Sequence, residues 1–88
     1  MKGEIIIEIK IIGTNCSNGI KLKKELKRAL EGSEIDFTLM ELNDPKHKKV
    51  YNVQNIPALI INDDIISEGK VLSEREITRV FGKYCLEC

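Results

Sequence analysis

The segment "IIGTNCSNGIKLKKELKRAL", residues 11–30, decides the fold, because it opens as the end of a strand and closes as an amphipathic helix. Leu22, Leu26, Ala29 and Leu30 recur at helical spacing, while Lys21, Lys23, Lys24, Lys27 and Arg28 fall on the other side. The lysine run is most simply a solvated helix face. Gly32, in "EGSE", supplies a C-terminal cap. Upstream, "EIIIEIKII" at residues 4–12 is β-branched and mostly apolar, the pattern of a strand covered on both faces. Cys16 therefore stands where a strand hands over to a helix.

Further along, "EIDFTLMEL" at 34–42 reads as a second strand. Asp44 then serves as an N-cap with Pro45 at the first position of a short helix reaching about Tyr51. His47, among Lys46, Lys48 and Lys49, is expected to be solvated surface, neither ligand nor base. In "NIPALIINDDIISEG" two apolar runs, Ala58 to Ile61 and Ile65 to Ser67, flank the turn-forming "NDD" and predict an antiparallel hairpin. Ser73 and Glu76 form a capping box ahead of the stripe Ile77, Val80, Phe81 and Tyr84. The order is βαβαββα. A right-handed crossover sets the first two strands parallel, and the hairpin adds antiparallel strands to one four-stranded mixed sheet.

At 88 residues the chain suits a single domain, residues 1–88. Lys plus Arg and Asp plus Glu number 14 each, so no global field draws it to nucleic acid or to an anionic membrane. No segment approaches the roughly 20 apolar residues of a membrane span, and Glu4, Glu8 and Lys10 interrupt the N-terminal run as they would not in a signal peptide. Three cysteines in such a chain are expected to be reduced thiols in a cytoplasmic protein.

At the mouth of a helix, unpaired N–H groups and the helix dipole favour an anion, and a thiolate is such an anion. Cys16 is accordingly the candidate nucleophile, because that setting raises the reactive thiolate fraction of a cysteine. Lys21 and Lys23, just downstream, would add positive potential if directed at the sulfur. The alternative is an inert, half-buried cysteine serving as a small core residue. Ile56-Pro57 precedes the third strand, where a proline without an N–H belongs; the residues alone favour the common trans bond there.

"GTNCSNGIKLKKEL", "NIPALIIND" and "SEGKVLSEREI" resemble the corresponding segments of the small thioredoxin/glutaredoxin-like proteins called redox-active disulfide proteins, over nearly the whole chain. The resemblance implies a minimal thioredoxin-like α/β fold with helices on both faces of the sheet. It implies that Cys16 attacks disulfides, that Pro57 is cis, and that Ile56 and Pro57 form the substrate-facing loop. Three departures stand out: Gly19 replaces the resolving cysteine, Ser17 the usual proline, and Ile56 the common threonine. A mixed disulfide on Cys16 would then need an outside thiol for its resolution, as in monothiol glutaredoxins. Their C-G-F-S pattern is missing here, so their iron–sulfur cluster is not carried over, and no cofactor is expected.

Cys85 and Cys88, in the terminal "CLEC", form a C-x-x-C that ends a helix instead of opening one. The last helix should start near the Cys16 end of the sheet and run away from it. From Ser73 to Tyr84 that is roughly 18 Å, against the ~7 Å limit between Cα atoms for a disulfide to Cys16. Packing of Cys85 and fraying of Cys88 explain the pair most simply; a bond between them, or a metal site shared across a dimer, are the alternatives. The sequence thus points to a one-thiol exchange protein whose partner is a protein or low-molecular-weight thiol or disulfide. The rivals are a binding module docking partners at the Pro57 loop and metal binding through Cys85 and Cys88.

Overall fold

The computed structural model describes residues 6–32 and 36–84. Seven elements follow in the expected order: β1 (Ile6–Ile12), α1 (Ser17–Glu31), β2 (Asp36–Leu42), α2 (Lys46–Val50), β3 (Ala58–Ile61), β4 (Asp64–Glu68) and α3 (Glu74–Tyr84). They build one sheet in the order β2-β1-β3-β4. β1 and β2 are parallel, in register from Ile6 opposite Asp36 to Ile12 opposite Leu42. β3 runs antiparallel to both β1 and β4. Asn62 and Asp63 turn the β3–β4 hairpin with φ of 51° and 69°, the left-handed backbone that a two-residue hairpin turn requires.

The alternation of β1 divides the interior in two. Ile7, Ile9 and Ile11 meet Leu22, Leu26 and Leu30 of α1 and Ile77 and Phe81 of α3, all nearly sealed from solvent. Each such side chain contributes about 2 kcal/mol on burial. On the other side, Ile12, Leu42, Val53, Ala58 and Ile60 form a smaller cluster with Tyr51 packed against it. Helices therefore lie on both faces of the sheet.

That second face is covered only in part. The sequence suggests burial of β1 on both sides, yet Ile6 remains 52% exposed. The reason is the length of α2: five residues make little more than one turn and reach only one end of the sheet. Met40 on the edge strand β2, on the same face, is likewise exposed, as is Phe37 on the opposite face beside Ile7.

The capping box acts as the sequence predicts, while α2 begins one residue later than expected, with Pro45 in place of Asp44 as its N-cap residue. Asp44 Oδ1 accepts the Lys46 N–H at 3.0 Å. Ser73 N–H donates to Glu76 Oε1 at 2.9 Å and Glu76 N–H to Ser73 Oγ at 3.2 Å, the reciprocal bonds of a capping box. His47 departs from expectation. It is half-buried, and its Nδ1 is out of solvent with no partner among the described residues, because so short a helix has an inward side that includes it. Among the described residues no helix is long and apolar enough to cross a membrane.

Candidate functional site

Cys16 is the N-cap residue of α1, with extended backbone angles (φ −106°, ψ 164°). Its carbonyl accepts the first helical hydrogen bond, from Ile20 N–H at 2.9 Å. Its sulfur takes the place of the usual capping oxygen: Gly19 N–H donates to Sγ at 3.3 Å. From the other side Sγ lies 3.2 Å from the Gly13 carbonyl, to which the thiol donates. One amide of the open helix turn thus meets the sulfur, and a carbonyl holds the thiol proton. Cys16 is half-buried, with Asn15, Ser17 and Asn18 exposed around it.

The loop that carries Cys16 is tied to the end of β2. Thr14, only 7% exposed, donates its N–H to Asn43 Oδ1 at 2.8 Å and its hydroxyl to Glu41 Oε1 at 2.8 Å. Gly13 N–H donates to the Leu42 carbonyl at 3.2 Å. Lys23, from α1, forms a salt bridge with the other oxygen of Glu41. The Lys23 ammonium and then the Thr14 hydroxyl hold the Glu41 carboxyl below its usual range. The Lys23 ammonium is therefore directed to Glu41.

The second loop is built in a parallel way at the end of β4. Glu68 Oε1 accepts the N–H groups of Gln54 and Asn55, at 3.0 and 3.3 Å. Gly69 N–H donates to the Pro57 carbonyl at 2.8 Å. Gly69 has φ +68°, and a Cβ there would press on Asn55 Cβ at 3.1 Å. Pro57 is fully buried and its bond to Ile56 is cis, whereas the residues alone favour trans. Among the described residues, nothing hydrogen-bonds to the N–H or C=O of Ile56, and its side chain is 39% exposed.

Gly13 joins the two loops. Its φ of +91° lies in the region that favours glycine, and a Cβ on it would sit 2.8 Å from Ile56 Cβ, closer than real atoms approach. The same residue touches Cys16 Sγ through its carbonyl. Cys16 and Ile56 thus stand on either side of one glycine. Cys85 and Cys88 lie outside the described residues. Among those described, no three His, Cys, Asp or Glu side chains gather closely enough to hold a metal ion.

Residues 7–82 match the family model of the thioredoxin domain. The chain belongs to the thioredoxin-domain family. Solved structures agree on the fold. A malarial protein superposes with a TM-score of 0.71 over 90% of this chain and 97% of its own, at 10% identity. Thioredoxin-2, described as a component of the malaria parasite protein secretion machinery, superposes with a TM-score of 0.67 over 94% and 85%, at 12% identity. A search of curated proteins gave no match.

Local sequence pattern does not mark Thr14, Glu41, Asn43 or Glu68 as site residues. A signal for the first three exists in the parallel pairing of β1 and β2: once Ile12 stands opposite Leu42, the residues leaving both strands must run side by side. Glu68 carries a fainter one, an acidic side chain at a strand end before a glycine.

Proposed function

We propose that the protein is a one-thiol exchange protein: Cys16 attacks a disulfide and forms a mixed disulfide with a protein or a low-molecular-weight thiol. The observation that carries this reading is the placement of Sγ at the N-terminus of α1, within reach of Gly19 N–H and across Gly13 from Ile56. In the attack, the Cys16 thiolate bonds to one sulfur of the substrate and the other leaves as a thiolate that takes up a proton. The thiol must first give up the proton now held by the Gly13 carbonyl; the Gly19 amide and the helix dipole then stabilise the anion. The free N–H and C=O of Ile56 suit an extended substrate, which would pair with them as an added strand. Ile56 and Pro57 are the substrate-binding residues on this reading.

The test is incubation with oxidised glutathione followed by intact-mass analysis and mapping of the modified residue. An adduct on Cys16, lost in Cys16→Ser and released by added thiol, is the expected result. A folded protein that takes up no glutathione at Cys16 would refute the proposal.

A second reading draws support from the Gly13 contact, in which the Cys16 thiol already donates its hydrogen to a backbone carbonyl. On that view the domain docks a partner along Ile56 without exchange, and Cys16→Ser leaves partner binding intact.

A further inference from the structure

The resemblance implies that Gly19 stands where a dithiol relative carries its second sulfur, and the space beside it is already full. A Cβ built on Gly19 would lie 1.9 Å from the Gly13 carbonyl oxygen, 2.9 Å from its carbon and 2.8 Å from Thr14 Cα. Every residue except glycine places a Cβ there, whatever its rotamer. The obstacle is backbone, and that backbone is held at both ends of one peptide group. The Gly13 carbonyl receives the Cys16 thiol, and the Thr14 N–H of the same peptide donates to Asn43 Oδ1 at 2.8 Å. Thr14 is further held by its hydroxyl bond to Glu41, and Gly13 by its N–H bond to Leu42. Bringing the oxygen to the 3.0 Å that real Cβ atoms require would move it by about an ångström against these anchors.

We infer that Gly19 is a specificity-determining residue: it lets the Gly13–Thr14 peptide close against α1 and thereby bars a second sulfur from the site. This rests on the one-thiol reading and deepens it. Release of a Cys16 mixed disulfide then falls to a second molecule. Its thiolate attacks the substrate-side sulfur, forms a new S–S bond with it and returns Cys16 as a thiolate that takes up a proton.

The test uses Gly19→Ala and Gly19→Cys in a protein that also carries Cys85→Ser and Cys88→Ser, with Gly82→Ala as control because a Cβ at Gly82 meets nothing within 4 Å. Both Gly19 variants should lose about 4 °C or more in melting temperature, and the control should lose none. Oxidised glutathione should give Gly19→Cys no internal disulfide, the product that is two hydrogens lighter. A stoichiometric internal disulfide overturns the inference, and so does an unchanged melting temperature in Gly19→Ala. Should the variants not fold, the unaltered protein still decides: a proton–proton NOE between the α positions of Gly19 and Thr14 is expected, and its absence overturns the close approach. The melting temperatures and the NOE do not depend on exchange activity, so they stand apart from any failure of Cys16 to exchange.

Discussion

The two loops at the site are anchored alike and finished differently. Each borrows a carboxylate from an edge strand, Glu41 from β2 for the Cys16 loop and Glu68 from β4 for the Pro57 loop. Glu41 binds side chains, the Thr14 hydroxyl and the Lys23 ammonium, so the strand-to-helix turn is fixed through what its residues carry. Glu68 binds backbone N–H groups at Gln54 and Asn55 and stops one residue short of Ile56, whose own polar groups stay open. One loop is closed around a sulfur; the other is pinned beside backbone groups that have no partner among the described residues. On the proposed reading, that difference separates positioning a nucleophile from presenting a docking edge.

The comparison breaks most decisively at Cys16. Cys16→Ser should abolish the glutathione adduct at that position while leaving Ile56 to bind, which peptide-binding measurements would show. Next in size is Glu68→Ala. Two N–H groups lose a charged acceptor, and bonds of that kind are worth about 1.5–3 kcal/mol. Denaturant unfolding should register most of that, with a smaller loss in Glu68→Gln, and exchange with a peptide disulfide should weaken more than alkylation of Cys16 by a small reagent. Thr14→Val removes one hydroxyl and leaves its acceptors, at about 1 kcal/mol; here alkylation of Cys16 should change as much as peptide exchange does. If Glu68→Ala and Thr14→Val affect the two assays alike, the division of labour between the loops fails.

The smallest effect is electrostatic. Glu41 is held below its ordinary value of 4.5, so the folded state binds its proton less readily than the unfolded chain. Its contribution to stability is present above that value and is lost as pH falls through the lowered one. The Thr14 amide resonance should move over that acid range, and Glu41→Gln should remove the movement. Salt should weaken the pairing with Lys23, since both groups reach solvent.

Much of this was legible in the sequence because the signals were local. The capping box at Ser73, the Asp44-Pro45 start, the "NDD" turn and the helical spacing from Leu22 to Leu30 each depend on neighbours a few residues apart. The placement of Cys16 at a helix start followed from the same kind of pattern. What escaped depends on partners distant in sequence. Thr14 meets Glu41 and Asn43 across 27 and 29 residues, and Gln54 meets Glu68 across 14. At Gly19 the sequence shows which residue stands there but not the Gly13 and Thr14 backbone that lies against it. His47 read as solvated because its charged neighbours are, although one short turn divides inward from outward within five residues.

On the proposed reading, the fold activates the sulfur of Cys16. The most direct test of that activation is the rate of Cys16 alkylation near neutral pH in the folded protein and in the same protein unfolded by denaturant, with Cys85→Ser and Cys88→Ser in both. Reaction severalfold faster in the folded state is the expected result, because only there do the Gly19 amide and the helix N-terminus face the thiolate. Equal or slower reaction on folding would mean that the Gly13 carbonyl and partial burial prevail, and would contradict the account.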